Sequence, residues 1–352
     1  MSSDLVYLSR AEVETSMPPM AERIALAERT LTALVVDAEL PPKVGVHPRP
    51  PGSFAHAMPA AWRALDGDDD PPDDASRDLL GIKWVTGFPG NRASGLPAIA
   101  AIVVLSDPTT GRPTAILDGG PITAQRTAAV SAVAMARFGP GGSATVAIVG
   151  AGVQGHSHLA AIGHVLPGAR LIIHDRHRER AMDLAAAALA TPGIAAADVV
   201  PEARAATTEA DVVISAVSFT DPARRQTMTE DWLAPDALII PVDYATMCAA
   251  SVARGAALFL VDERGQFLAN RDAGQFDGYP EPTATLGEAL LAGTARPSSG
   301  RVVATHLGVG LADVVFADAI VRRARAAGLG TRLEADLAGS DLAGSDLAGS
   351  GR

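Results

Sequence analysis

The stretch that decides the fold is ATVAIVGAGVQGHSHLAAIGHVLPGARLIIHD, residues 144–175. An apolar run leads into Gly150, Gly152 and Gly155 in G-x-G-x-x-G spacing, a helix-like segment follows, and a second apolar run ends at Asp175. A glycine triplet alone is a weak signal, but here it lies between a strand and a helix, with an acid 20 residues after the third glycine. This context predicts a βαβ unit that binds NAD or NADP.

Each residue of this glycine motif has a physical role in the prediction. Gly150 allows a tight turn, Gly152 lets the backbone approach the pyrophosphate, and Gly155 lets the helix pack closely on the strand. Val153 and Gln154 belong to the same turn, where the positive end of a helix would hold the phosphates. All five residues are therefore predicted cofactor contacts.

The choice between the two cofactors depends on the end of the second strand. Asp175 would accept hydrogen bonds from the ribose hydroxyls, which favours NAD. Arg176 and Arg178 follow directly and could hold a 2′-phosphate, so NADP is the alternative. Ser215, near the end of the run ADVVISAV, is a further predicted cofactor contact.

Beyond the motif, the chain alternates strands and helices. The later strands ADVVISAV, DALIIPVD and ALFLVD are apolar without polar alternation, as expected for parallel strands that are buried on both faces. Such alternation predicts a doubly wound Rossmann sheet.

The residues before the motif predict a different, α+β domain. Residues 10–37 show helical spacing and are predicted to form a helix. The β-like runs 79–88 and 96–107 are joined by short turns, which indicates an antiparallel or mixed sheet. A helix rich in small residues is predicted at 121–137, and another at about 311–327, which we expect to return to the first domain.

The predicted division follows from these patterns. Residues 1–120 and 303–333 would form a substrate-binding and dimerisation domain, and 121–302 the NAD(P)-binding domain. The tail 334–352 repeats one pentapeptide and is predicted to be disordered.

Composition excludes several classes of function. The chain has 352 residues, a formal net charge of −11 and no basic run, which argues against a nucleic-acid partner. Its single cysteine, Cys248, excludes a disulfide framework and a cysteine-based zinc site and favours the cytoplasm. Neither a metal-ligand motif nor an apolar stretch of about 18 residues is present, so we predict no metal and no membrane span.

Three residues are candidates for binding or reacting with a small molecule. Asp243 ends an apolar strand, where open α/β sheets bind ligands, and it could hold an amino group or take a proton from it, or merely cap a helix. Arg126 lies at the domain junction and could bind a carboxylate through two hydrogen bonds. Lys83 lies in a β run on the face opposite Ile82 and Trp84, which is either a site or a solvated face. The histidines His56 and His306 fit catalytic or structural roles.

With these residues in view, the chain resembles the ornithine cyclodeaminase / mu-crystallin family over about residues 5–330. The segments that carry the resemblance are GIKWVTGFPGN, AAIVVLSDPTTGRPTAILDGG, TAQRTAAVSAVAMARF, VAIVGAGVQG and LIIPVD. The resemblance implies a homodimer in which the first domain carries the dimer interface and the substrate site.

The resemblance also implies a role for individual residues. Lys83 and Arg126 would bind the substrate carboxylate, with Lys43 as an additional contact. Asp243 would bind and orient the reacting amine. The implied cofactor contacts are Thr127, His306 and Leu307, the last two lining the nicotinamide pocket.

Two departures from the family pattern argue against ornithine cyclisation. In AHAMPA, His56 stands where cyclodeaminases have a glutamate, and DYATMCAAS lacks the Gly-Lys pair that follows their aspartate. The segment VDYATMCAASVARGAALFLVDERGQF is similar to the branch that contains N-(2-amino-2-carboxyethyl)-glutamate dehydrogenase, a step towards 2,3-diaminopropionate.

Three functions follow from the sequence. The first is an NAD(P)-dependent amino-acid dehydrogenase or imine reductase, in which Lys83, His56 and Asp243 are the catalytic candidates and the unperturbed histidine pKa of about 6.5 suits His56 to acid/base catalysis. The alternatives are a cyclodeaminase that recycles NAD and releases ammonia, and a mu-crystallin-like binding protein. The loop 44–58 and the segment 266–284 are predicted to shape the substrate pocket.

Overall fold

The structure, a computed structural model, describes residues 5–63 and 78–333. The predicted disordered tail, 334–352, lies outside the described residues. The strands in chain order are β1 (Leu5–Leu8), β2 (Ala38–Glu39), β3 (Val44–Val46), β4 (Phe54–Trp62), β5 (Leu79–Gly87), β6 (Ile99–Ser106), β7 (Pro113–Asp118), β8 (Thr145–Val149), β9 (Ala169–His174), β10 (Ile194–Val199), β11 (Val212–Ser215), β12 (Leu238–Pro241), β13 (Leu258–Val261), β14 (Ala284–Thr285), β15 (Val302–Thr305) and β16 (Thr331–Leu333).

The helices, which pack around these strands, are α1 (Arg10–Thr15), α2 (Met20–Val36), α3 (Gly119–Phe138), α4 (Val153–Val165), α5 (Arg178–Leu189), α6 (Ala203–Thr207), α7 (Ala250–Arg254), α8 (Arg264–Asp272), α9 (Leu286–Leu291) and α10 (Gly310–Ala326). None of the helices in the described part of the chain combines the length and the apolar character that a bilayer span requires.

The second half of the chain forms a parallel sheet in the order β10-β9-β8-β11-β12-β15-β13-β14. Its central strands are buried along their whole length, which explains their unbroken Val/Ile/Leu runs. The chain leaves β8 towards β9 on one side and later places β11 on the other side. Carboxyl ends of strands at such a reversal form a crevice that binds ligands. The predicted doubly wound domain is confirmed.

The first half forms a mixed sheet in the order β16-β1-β7-β6-β5-β4-β2, with β3 paired to β4. All its pairs are antiparallel except β1 with β7. The helix α10 packs on β4, β5 and β6. Its first residue, Gly310, approaches the backbone of Met58 so closely that a Cβ would lie 2.6 Å from that carbonyl oxygen. The return of α10 to this sheet supports the two-domain division, whose boundaries stay a prediction.

Two local predictions were wrong. Residues 10–37 do not form one helix, because α1 ends at Thr15 and α2 begins at Met20. The prolines at 18 and 19 lack the N–H that an unbroken helix needs, and each disfavours the helical conformation of the preceding residue. The segment 44–58 is not simply a loop, since it contains β3 and the start of β4.

Candidate active site

The glycine motif has the geometry that its sequence predicts. Gly150 follows β8 at φ +110°, and a Cβ there would lie 2.5 Å from the carbonyl oxygen of Ala216. A Cβ on Gly155 would lie 2.6 Å from the carbonyl oxygen of Gly150. Only a glycine at this position therefore lets α4 pack so closely against the turn. Gly152, the N-cap of α4, has open space beside its Cα. A pyrophosphate could therefore approach this backbone and the helix N-terminus directly.

Asp175 lies beside the same turn. Its Oδ2 accepts a hydrogen bond from the Ala151 N–H at 2.8 Å, and its Oδ1 accepts one from the His177 N–H at 2.8 Å. A carboxylate oxygen has two lone pairs, so both oxygens can still accept from ribose hydroxyls. Arg176 and Arg178 are exposed next to it. The arrangement suits NAD and leaves two cations available for a 2′-phosphate.

Asp243 is a buried acid at the carboxyl end of β12. Its Oδ1 accepts from the Ser215 hydroxyl at 3.1 Å, and its Oδ2 accepts from the Val217 N–H at 3.1 Å. Burial raises the pKa of this carboxyl to about 7, against these hydrogen bonds, which lower it. Asp243 can therefore exchange a proton near neutral pH. Ser215, predicted as a cofactor contact, contacts this acid.

Lys83 and Arg126 meet at an acid that the sequence reasoning missed. Asp313, on α10, lies 2.6 Å from the Lys83 Nζ and 3.4 Å from the Arg126 Nε, and all three side chains are buried. Burial lowers the pKa of Lys83 to about 7, and Asp313 partly opposes that change. The signal for Asp313 was present, because it is the lone acid in the apolar run 311–317 and a buried acid needs a partner.

Lys43 brings a third cation to the same place. Its Nζ donates to the carbonyl oxygen of Leu307 at 2.7 Å and to the Tyr244 hydroxyl at 3.0 Å. The next residue, Gly308, has φ +78°, and a Cβ there would lie 2.2 Å from a guanidinium nitrogen of Arg126. The turn 307–308 therefore lies between Lys43 and Arg126, directly beyond the carboxyl end of β15.

His56 faces the same side of the first sheet as Lys83. In the β4–β5 register Met58 is opposite Lys83, and His56 lies two residues along the strand from Met58. The His56 ring stacks on Phe54 with centroids 4.6 Å apart. Burial, with Lys43, His47 and Lys83 nearby, lowers the pKa of His56 to about 4.

Within the fold the pKa of His56 therefore lies below the unperturbed histidine value of about 6.5. Its neighbourhood of cations and its partial burial, neither visible in the sequence, both disfavour the protonated ring. The catalytic role of His56 stays a prediction, now for a neutral imidazole.

His306 takes part in a buried hydrogen-bond network with Ser131 of α3 and His158 of α4. Its Nε2 lies 2.9 Å from the Ser131 hydroxyl, which also lies 2.8 Å from the Nε2 of His158. Thr127 is one turn before Ser131 and donates to the carbonyl oxygen of Thr123. Sequence reasoning gave His158 no role and did not consider Ser131, because residues 131 and 158 meet only through the packing of α3 on α4.

The structure thus brings the four predicted substrate residues and two predicted cofactor contacts to the region beyond the carboxyl ends of β12 and β15: Lys43, Lys83, Arg126 and Asp243, with His306 and Leu307. Within residues 5–63 and 78–333, no group of three or more His, Cys, Asp or Glu side chains is placed to hold a metal ion. The site combines the cations Lys43, Lys83 and Arg126 with the buried acids Asp243 and Asp313 beside a dinucleotide turn.

Comparison with known proteins places this site in a family. The model of the ornithine cyclodeaminase/mu-crystallin family matches residues 6–247. The chain belongs to this family. The nodulation efficiency protein NfeD of Rhizobium meliloti is 32% identical over 94% of this chain and 99% of its own length. The ketimine reductase mu-crystallin of Mus musculus is 34% identical over 47% of this chain and 50% of its own length.

A solved structure agrees along nearly the whole chain. The Δ(1)-pyrroline-2-carboxylate reductase of Thermococcus litoralis, in complex with NADH and L-proline, has a TM-score of 0.79 and 26% identity, and the match covers 93% of this chain and all of that one. The predicted family, fold and class, an NAD(P)-dependent oxidoreductase acting on the carbon–nitrogen bond of amino acids, are confirmed. The N-(2-amino-2-carboxyethyl)-glutamate branch stays a prediction.

Proposed function

We propose that this chain interconverts an α-imino acid and an α-amino acid, with hydride transfer at the α-carbon and NAD as the redox partner. One observation carries the proposal. Three cations, Lys43, Lys83 and Arg126, gather around the 307–308 turn beyond β15, and the buried acid Asp243 follows β12, the strand next to β15. That arrangement recognises the two ends of an amino acid, its carboxylate and its nitrogen.

The cations would bind the substrate carboxylate. Asp313 pairs with Lys83 and Arg126, and the buried acid Asp262 accepts a hydrogen bond from the Gly308 N–H at 2.7 Å near Lys43 and Arg126. Burial raises the pKa of Asp262 and so disfavours its charged form, which leaves positive charge in the cluster for the substrate carboxylate. Arg126 supplies a planar fork that suits two parallel hydrogen bonds, and Lys83 and Lys43 supply point charges. Holding the carboxylate at several points orients the α-carbon, which is the main contribution of the protein to a hydride transfer.

Asp243 would manage the proton on nitrogen. With its pKa raised to about 7, the protonated acid can donate to an imine nitrogen, and the carboxylate can bind an ammonium group or accept its proton. Ser215 and the Val217 N–H hold the carboxyl in one orientation during both steps. This pairing of an acid with a cation-bound carboxylate serves reduction and oxidation equally.

The residues of the glycine motif would bind the dinucleotide, which supplies or accepts the hydride when bound. Asp175 favours NAD, and Arg176 with Arg178 are the groups that would accommodate NADP. We assign Val153, Gln154, Ser215, Thr127, His306 and Leu307 to the surroundings of the cofactor on the family resemblance and on their places at strand ends and at the start of α4.

A homodimer in the cytoplasm completes the proposal. The face of the first sheet opposite α10 exposes large apolar side chains, among them Tyr7, Trp84 and Ile102. A contiguous exposed apolar surface of this kind is typical of a protein–protein interface, and the family resemblance implies that a second copy covers it. The cytoplasmic location rests on the single cysteine.

The decisive experiment combines a substrate panel with two variants. Purified protein is incubated with NADH or NADPH and cyclic or linear α-imino acids, and in the reverse direction with NAD and amino acids that include ornithine and N-(2-amino-2-carboxyethyl)-glutamate. Absorbance reports the cofactor and mass spectrometry reports the product. We expect net cofactor turnover, which Asp243→Asn should lower by about 10²–10⁴-fold and Lys83→Met should also lower. Ammonia release from ornithine without net cofactor turnover would instead establish a cyclodeaminase.

A further inference from the structure

Ser131 bridges two buried histidines between the glycine motif and the cation cluster. Its hydroxyl lies 2.8 Å from the His158 Nε2 and 2.9 Å from the His306 Nε2, and all three side chains are buried. At its far end the His158 Nδ1 lies 2.6 Å from the carbonyl oxygen of Gln154, a residue of the glycine motif. This hydrogen-bond network therefore runs from Gln154 in the dinucleotide turn to His306.

The chemistry of the partners determines which atom carries each proton in this hydrogen-bond network. A carbonyl oxygen can only accept, so the His158 Nδ1 must carry a proton. A neutral imidazole has one N–H, so the His158 Nε2 accepts from the Ser131 hydroxyl. That hydroxyl has then used its proton, and its oxygen accepts from the Nε2–H of His306. Ser157 agrees with this direction, since its own proton goes to Gln154 and its oxygen can only accept from the His158 Nδ1–H.

Both rings are neutral around neutral pH. Burial lowers the pKa of His158 to about 4, and burial with the nearby His158 and Arg126 takes the pKa of His306 well below its usual value. Reversing the direction of these hydrogen bonds would place an unprotonated His158 Nδ1 2.6 Å from the Gln154 carbonyl oxygen, with two lone pairs facing each other. Only one arrangement of protons satisfies the contacts.

The consequence appears at the other nitrogen of His306. Its Nδ1 is buried and has no hydrogen-bond partner among the residues that the structure describes. In this arrangement it carries a lone pair and no proton. A buried acceptor without a donor is unfavourable, and a bound molecule with an N–H group would satisfy it.

We infer that Ser131 and His158 are positioning residues that hold His306 as the Nε2–H tautomer, so that its Nδ1 accepts a hydrogen bond from an N–H group of a bound ligand. The inference rests on the proposed function for the source of that group. Two sources share the chemistry, the carboxamide of nicotinamide and the amino nitrogen of the amino acid. A merely structural network would hold the helices together without presenting a defined acceptor.

The first test needs no ligand. Protein labelled with ¹³C,¹⁵N-histidine is studied by NMR, and the two rings are assigned by the signals that disappear in His158→Asn and His306→Asn. Protonated and unprotonated ring nitrogens resonate far apart, and the ring carbons identify each nitrogen. We expect protonated Nδ1 in His158 and protonated Nε2 in His306. A protonated Nδ1 in His306 overturns the inference, whatever reaction the enzyme performs.

The second test removes the bridge. Ser131→Ala should leave His306 as a mixture of both tautomers and raise the KM of the ligand that it contacts about tenfold, the equivalent of about 1.4 kcal/mol. Ser131→Thr keeps a hydroxyl and should restore the single tautomer. Thr30→Val is the matched control, because it removes a buried hydroxyl that bonds only its own helix. If Ser131→Ala retains one tautomer at His306, Ser131 does not position it.

The third test identifies the source of the N–H group. If the carboxamide is the donor, NADH should shift the His306 Nδ1 signal. The 3-acetylpyridine analogue of NADH, which lacks the carboxamide N–H, should then leave that signal unshifted. A shift only after the amino acid is added assigns the donor to the substrate. No shift with either ligand bound refutes the acceptor role, whereas failure of the dinucleotide to bind at all counts against the proposed function and leaves the tautomer result in force.

Discussion

Replacing Asp313 with asparagine removes the charge that Lys83 and Arg126 share while keeping the size of the side chain. Removing one partner of a buried ion pair costs roughly 3–5 kcal/mol when the remaining group stays charged and unpaired. Here one of the two cations, Lys83, can become neutral, so we expect the free energy of unfolding to fall by about 2–3 kcal/mol at pH 7, at or below the lower end of that range.

The magnitude follows from the two cations separately. Burial brings the pKa of Lys83 to about 7, and Asp313 raises it, so in the variant that pKa falls further and Lys83 becomes neutral at pH 7 at little cost. Arg126 cannot lose its proton. Its Nε lies 3.4 Å from the Asp313 carboxylate without forming a hydrogen bond, and losing this ion pair leaves the buried charge of Arg126 without a partner. Arg126 therefore carries most of the loss.

Denaturant unfolding, followed by the fluorescence of Trp62 and Trp84 in the first sheet, measures the effect. The matched control is Asp318→Asn on the same helix, whose ion pair with Arg322 is partly exposed and should cost less than about 1 kcal/mol. Lys83→Met in both backgrounds closes a double-mutant cycle, in which we expect a coupling of at least about 1 kcal/mol.

A pH series tests the same reasoning. The folded pKa of Lys83 lies below its unfolded value of 10.5, so between about 7 and 10.5 the unfolded chain binds the extra proton and stability rises with pH. Lys83→Met should flatten that rise. The reasoning is refuted if Asp313→Asn costs no more than Asp318→Asn and is additive with Lys83→Met.

Three further perturbations test other parts of the site. Asp243→Asn should lower kcat by about 10²–10⁴-fold with little change in dinucleotide affinity, because it removes the group that carries the proton. Steady-state kinetics measure kcat, and a fluorescence titration with NADH measures the affinity. An unchanged kcat would contradict the assignment of Asp243. Gly308→Ala puts a Cβ 2.2 Å from the Arg126 guanidinium and should raise the substrate KM at least about tenfold, the effect of about 1.4 kcal/mol. Gly328→Ala, also at positive φ but in open space, should leave KM unchanged. His158 has a pKa of about 4 in the folded state, below the unperturbed value of 6.5, so between these values the unfolded chain binds more protons and stability falls as the pH is lowered from 6.5 to 4. His158→Asn should make this decline in stability shallower in an acid-unfolding series. An equal slope in the variant would show that His158 does not titrate this way.

The sequence predicted the Rossmann half well because its signals are local. The glycine spacing, the unbroken apolar strands and the acid at Asp175 each follow from chemistry within a short stretch of chain. The same holds for Lys83, since alternation along one strand placed it opposite Trp84, and the structure buries Lys83 while Trp84 is 42% exposed. The split of the first helix at its two prolines was equally local and was overlooked.

What the sequence by itself determined, then, is the cofactor turn, the parallel sheet and the residue types of the substrate site. Tertiary structure alone decided how those residues are charged. Asp313 meets Lys83 across 230 residues of chain, and Ser131 meets His306 across 175. Because a pKa or a tautomer depends on burial and on the atoms within a few ångströms, His56 has a low pKa, Lys83 and Asp243 titrate near 7, and His306 holds its proton on one particular nitrogen only once the chain has folded.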